Sequence, residues 1–260
     1  MNNSPFFIIA IAIELGVPIF LAIWLTKRYK FGWGVVGVGV CTFIASQVVH
    51  IPLLQGLGYA FSALGVNFSG GIVGTILYGL YLGLMAGICE EPMRYLGFIL
   101  LKKRAKPAEA GILAGVGHGG IESIFIGVSV LSTFIAMRLA SQGTAIPGIT
   151  SSMLTEYNST VWYLPLLGGL ERITTIILHI TLSMLVWRSV QKHEITWLVL
   201  AIAYHMFVDA GAVIMGQSGV NTLVIEGVFV IFAVVNIWLL TRMKKSWKEV
   251  EPVAEVLTEH

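Results

Sequence analysis

His118 and Glu122, His205 and Asp209, and Glu90 and Arg94 are three pairs of ionisable residues, each four positions apart. On a helix that spacing stacks the two side chains on one face. Glu91 stands three positions before Arg94, so one guanidinium can reach either carboxylate. Arg172 and His179, seven apart, also share a face, and Glu171 adjoins them. A carboxylate beside an imidazole can take a proton from water, orient that water or hold a metal ion. A single arginine cannot neutralise two adjacent acids, which leaves one of Glu90 and Glu91 suited to acid/base work.

The elements that carry these residues are helices in a membrane. The chain has 260 residues, 56% of them hydrophobic and only 12% charged, against roughly 25% charged in an ordinary soluble domain. A mean hydropathy of +0.84 leaves too little polar surface to face water. Crossing a bilayer takes about 20 apolar helical residues. Seven runs meet that length, at about 6–26, 32–54, 71–101, 110–137, 161–189, 195–214 and 221–241. The expected fold is an all-α bundle of about seven transmembrane helices, one domain over 1–245, with a tail over 246–260. The first residues, MNNSPFF, lack the positive region of a cleavable signal, so the first run is expected to be a retained helix. A net charge of +2 argues against a nucleic-acid binder. Cys41 and Cys89 lie inside apolar runs, which excludes a disulfide scaffold and any cysteine metal motif.

Loop charge sets the orientation. Lys27, Arg28 and Lys30 follow the first run, and Lys102, Lys103, Arg104 and Lys106 the third. Arg188 and Lys192 follow the fifth, and Arg242, Lys244, Lys245 and Lys248 the seventh, whereas the alternate loops carry only Arg138. The N-terminus is therefore expected outside and the C-terminus in the cytoplasm. The 138–160 connection is the only long outer loop. Counted from the basic ends at 1.5 Å per residue, Glu90, His118, Glu122, His179, His205 and Asp209 reach a common depth of roughly 14–21 Å. Four helices thus bring ionisable groups to one layer.

Each charge at mid-bilayer costs roughly 2.5–3.5 kcal/mol on insertion scales. Seven of the fourteen acidic residues fall inside the runs, so they must pair, face water, or both. The plain alternative for Glu90–Glu91–Arg94 is a structural ion pair, and for the two His–acid pairs it is hydrogen-bond glue between helices. Matching depth favours a site. Glu14, Glu226 and His50 are solitary on their runs, and structural pairing or cavity lining is expected of them. Gly79, Gly83 and Gly87, and then Gly111, Gly115 and Gly119, recur every fourth residue. Such stripes allow close helix approach, and they suggest that the third and fourth runs are neighbours. Pro92 removes one helical hydrogen bond beside the two glutamates. Gly216-Gln217-Ser218-Gly219 matches a rhomboid-like G-x-S-G by chance, in an outer turn far from the polar layer.

No H-E-x-x-H or G-x-G-D occurs, so zincin and presenilin signatures are absent. The ordered motifs E-E-P-M-R (Glu90 to Arg94), H-G-G-I-E (His118 to Glu122) and H-M-F-V-D (His205 to Asp209) resemble the PrsW-like and type II CAAX protease superfamily. Within it the chain is most similar to the bacterial YhfC family of intramembrane proteases. Arg94 stands where PrsW-like members carry Lys, His118 where they carry Phe, and Arg94 lies one residue early for the CAAX pattern. His179 and His205 on consecutive helices also resemble the paired histidines of the seven-span γ-secretase scaffold subunit. The resemblance covers residues 75–215 and implies peptide-bond hydrolysis in or near the membrane, on a membrane protein or peptide.

The residues suit that chemistry. Glu90 or Glu91 would activate water, His118 and His179 would position it, and His205, oriented by Asp209, would donate to the oxyanion or leaving amine. Arg94 would keep one carboxylate ionised. Alternatively His118, His179 and His205 would ligate a catalytic zinc with a glutamate as base. The lack of a known zinc helix tilts the balance towards no metal. Two other classes fit the same layer: a proton-coupled transporter, against which the absence of repeated halves counts, and a non-catalytic scaffold.

Overall fold

The structure, a computed structural model, describes residues 3–66, 68, 70–102 and 108–248. Most of the basic segment at 102–107 and the 249–260 part of the expected tail lie outside the described residues. The described residues form eight helices and no strand: α1 (Ser4–Tyr29), α2 (Trp33–Ala63), α3 (Gly71–Lys102), α4 (Ala108–Ser141), α5 (Ser151–Ser159), α6 (Leu164–Lys192), α7 (Thr196–Gln217) and α8 (Thr222–Lys248). All except α5 are long and apolar enough to span a bilayer, which makes this an integral membrane protein. Large apolar side chains such as Phe20, Trp24, Val234 and Trp238 point outward, as a lipid-facing surface requires.

The expected long outer loop contains α5. Thr150 starts this helix, its Oγ1 accepting a hydrogen bond from the Met153 amide at 3.3 Å. Ser218 lies at the exposed C-cap of α7, in the turn away from the polar layer.

The helix α6 is central. Two-thirds (67%) of its span is buried, and it touches α1, α3, α4, α7 and α8. Towards the basic-loop end the interior is apolar, with Phe98 and Trp187 packed edge to face at 5.3 Å beside fully buried Leu113 and Leu182. Polar groups occupy the layer above.

The glycine stripes do mark close approaches, but not between α3 and α4. A Cβ at Gly83 would meet the Met206 carbonyl of α7 at 2.4 Å, and one at Gly115 would meet Ile180 of α6 at 2.7 Å. The third and fourth spans are therefore not packed side by side: α2 and α6 each touch both and lie between them. Small-residue stripes report that something approaches, not which helix it is. The closest approach is at Gly39 of α2, where a Cβ would stand 1.9 Å from the Ala114 carbonyl of α4. Gly39→Ala is expected to cost about 1–3 kcal/mol, the usual range for overpacking, and to lower the unfolding temperature in detergent.

Candidate active site

Glu90, Glu91, Arg94, His118, His179 and His205 are buried in the bundle interior, Glu122 and Arg172 are partly buried, and Asp209 and Glu171 stand at its more open edge. Glu90, Glu91 and Arg94 sit one turn apart on α3, which continues through Pro92. Glu91 and Arg94 are completely buried and form an ion pair at 3.1 Å. The second oxygen of Glu91 accepts from His205 Nδ1 at 2.7 Å, and His205 Nε2 lies 3.4 Å from Asp209. His205 is thus held between two carboxylates. Arg94 Nη2 donates to His179 Nδ1 at 3.0 Å, which leaves His179 Nε2 to donate to Glu122 at 2.6 Å. Glu122 also accepts from Arg172 at 3.0 Å, and Arg172 pairs in turn with Glu171.

Of the expected i,i+4 pairs, only His205–Asp209 is a direct contact. Glu90 does not pair with Arg94, because Glu91 occupies the guanidinium. Glu122 turns from His118 towards His179 and Arg172 on α6. Glu90 instead meets His118 of α4, its Oε2 3.1 Å from Nε2. The three imidazoles stand in a row, with ring centres 5.1 Å apart for His118–His179 and 5.5 Å for His179–His205.

Two contributors from α2 escape a reading based on charge. Gln47 Nε2 donates to Glu90 Oε1 at 3.1 Å, and Thr42 Oγ1 lies 3.0 Å from His118 Nδ1. The available signal was the run of polar side chains Thr42, Ser46, Gln47 and His50 in the middle of a predominantly apolar helix. Asn236 of α8 was also missed. It is buried and accepts from the Tyr204 hydroxyl at 3.1 Å.

A cavity of about 220 Å³ opens on this layer between α6, α7 and α8. Glu90, Glu122, His179, His205 and Asp209 line it, together with Glu171 and Arg172 further towards the α5 end. Phe229, Phe232 and Ala233 give it one apolar wall. Glu91 does not line it, so its place is behind the site.

Donor atoms of Glu90, His118 and His179, all buried, lie within 4.8 Å of one another. Nitrogen and oxygen donors suit zinc, and two ligands at about 2.0 Å from a tetrahedral ion stand about 3.3 Å apart. The 3.1 Å between His118 and Glu90 is close to that edge, so these residues fit a divalent ion. His179 would exchange Arg94 or Glu122 for the ion. His205, expected as the third zinc ligand, is outside this group, and both its nitrogens face carboxylates.

Glu14 and Glu226 are buried, and each has one carboxylate oxygen with no hydrogen-bond partner. Neither lines the cavity. A carboxyl buried without a partner is destabilising. Glu226→Leu is therefore expected to insert normally and to match or exceed the parent in thermal unfolding.

Comparison with known proteins places the chain in a family. The family model for the YhfC intramembrane metalloprotease matches residues 13–230. The membrane protein YhfC of Bacillus subtilis (strain 168) is 30% identical over 250 residues, covering 91% of this chain and 95% of the relative. No solved structure matches. With most of its length matched, and the polar layer inside the matched segment, the chain belongs to the YhfC intramembrane metalloprotease family.

Proposed function

We propose that the protein hydrolyses peptide bonds of membrane-embedded or membrane-associated substrates in the cavity between α6, α7 and α8. The observation that carries this reading is the buried Glu90–His118–His179 group, two of whose members line a cavity that also exposes His205. Glu90, His118 and His179 would hold a divalent ion, zinc by donor chemistry. Such an ion supplies Lewis acidity for the carbonyl and lowers the pKa of a bound water.

The chain's own residues do the rest. Arg172 and His179 both donate to Glu122, which aims His179. His205, fixed between Glu91 and Asp209, faces the cavity and donates to the oxyanion or the leaving amine. Arg94 pairs with Glu91, whose other oxygen fixes His205. Phe229 and Phe232 cover one side with apolar surface, which excludes water. The loop charges support an orientation with the N-terminus outside and the C-terminus in the cytoplasm.

A second reading uses the same contact without metal. Among the cavity carboxylates, Glu90 has a neutral amide and an imidazole as its partners, so it is free to take a proton from water.

The test is cleavage of single-span reporters by purified detergent-solubilised protein, with metal content measured alongside. Cleavage lost on chelation and restored by zinc supports the metal reading. Chelator-indifferent cleavage that depends on Glu90 moves the chemistry to the second. Proton or solute flux in liposomes with no cleavage sinks both.

A further inference from the structure

We propose that Thr42 is a positioning residue that fixes the tautomer of His118, so that its Nε2 lone pair is presented to Glu90. The inference rests on the reading of Glu90, His118 and His179 as the reactive group.

The assignment follows from counting hydrogens. A threonine hydroxyl has one hydrogen to give and can also accept. The Thr42 hydrogen goes to the Gly39 carbonyl one turn back, at 2.7 Å. Towards His118 the same oxygen can therefore only accept, so His118 Nδ1 carries the hydrogen across the 3.0 Å contact. Nε2 then has a free lone pair, 3.1 Å from a carboxylate oxygen of Glu90. Two electron-rich atoms at that distance in a buried site call for a cation or a proton between them. Glu90 is braced from the same helix, since its other oxygen accepts from Gln47.

The backbone is built to hold Thr42 there. Gly39, whose carbonyl takes the hydroxyl hydrogen, lies where α2 touches α4: a Cβ would come within 2.8 Å of the His118 amide nitrogen. On the other side, a Cβ at Gly97 of α3 would lie 2.3 Å from the Thr42 methyl. Thr42 is thus clamped between α3 and α4, and Phe43 packs edge-on against the His118 ring at 5.3 Å. Hydroxyl, ring orientation and carboxylate form one chain from α2 through α4 to α3.

The test uses the full-length protein in detergent as wild type, Thr42→Val and Thr42→Ser. Valine keeps the shape and removes the acceptor, whereas serine keeps the acceptor and removes the methyl. Two readouts are needed. Histidine ¹⁵N shifts of the metal-free protein, with His118 assigned from His118→Gln, report the tautomer. Competition with a chromophoric chelator reports zinc affinity. The expected result is an Nδ1–H tautomer in wild type and Ser, lost or mixed in Val, with zinc bound about 10–100-fold more weakly by Val, the usual effect of removing such a partner. An Nε2–H tautomer in wild type overturns the proposal, as does a Val variant with unchanged tautomer. Equal losses in Val and Ser overturn it too, because they point to packing. If wild type binds no zinc while the tautomer responds as expected, the metal reading fails and the role of Thr42 stands.

Discussion

Glu90→Gln is expected to reduce reporter cleavage by about a thousandfold, within the 10²–10⁴ range of a lost acid/base or ligand carboxylate. The substitution keeps the side chain's shape. It exchanges an oxygen that faces His118 and the cavity for an atom that is uncharged in either amide orientation. Membrane insertion and helical content are expected to be unchanged, because Glu90 forms no ion pair with an arginine. In the metal reading, zinc content also falls below that of wild type. A Glu90→Gln protein that cleaves within threefold of wild type would remove Glu90 from the reaction and overturn both chemical readings.

The second large effect is on stability. Arg94→Met is expected to lower it by about 3–5 kcal/mol, the penalty for leaving one partner of a buried pair uncompensated. Neither Arg94 nor Glu91 is exposed at all, so no water can replace the guanidinium. Arg94 also donates to His179, and the variant is expected to lose activity as well as stability. Adding Glu91→Gln removes the stranded charge and should recover much of the stability but not the activity, since Glu91 holds His205. Denaturant unfolding in detergent with a parallel cleavage assay checks both. Arg94→Met stability within 1 kcal/mol of wild type would show that Glu91 is solvated or protonated at little cost, against its burial.

The seven spans, and the gathering of polar residues from four of them, were legible because apolar runs and charges inside them are strong signals. The structure brings the ionisable residues of α3, α4, α6 and α7 together in one contiguous polar layer, with Glu91 and Arg94 behind the cavity. Their pairing was not legible. Spacing along a helix places His118 beside Glu122, but each finds its nearer partner on another helix, Glu90 and His179 respectively. Gly79, Gly83 and Gly87 announced a close contact without saying that α7 would make it. Thr42 and Gln47 carry no charge, and their cost in a bilayer is small enough to pass for ordinary helix glue.

The Glu91–Arg94 pair also has a meaning for biogenesis. The chain is made from its N-terminus, so α3 enters the bilayer before most of its partners exist. Glu91 and Arg94 lie on the same helix and can neutralise one another at once. Glu90 must wait for His118, 28 residues later, or about one to six seconds at roughly 5–20 residues per second. His205 reaches Glu91 only after 114 residues, roughly 6–23 s at the same pace. The intrahelical pair is thus a built-in chaperone for α3, carrying its charge until α7 closes the site around it.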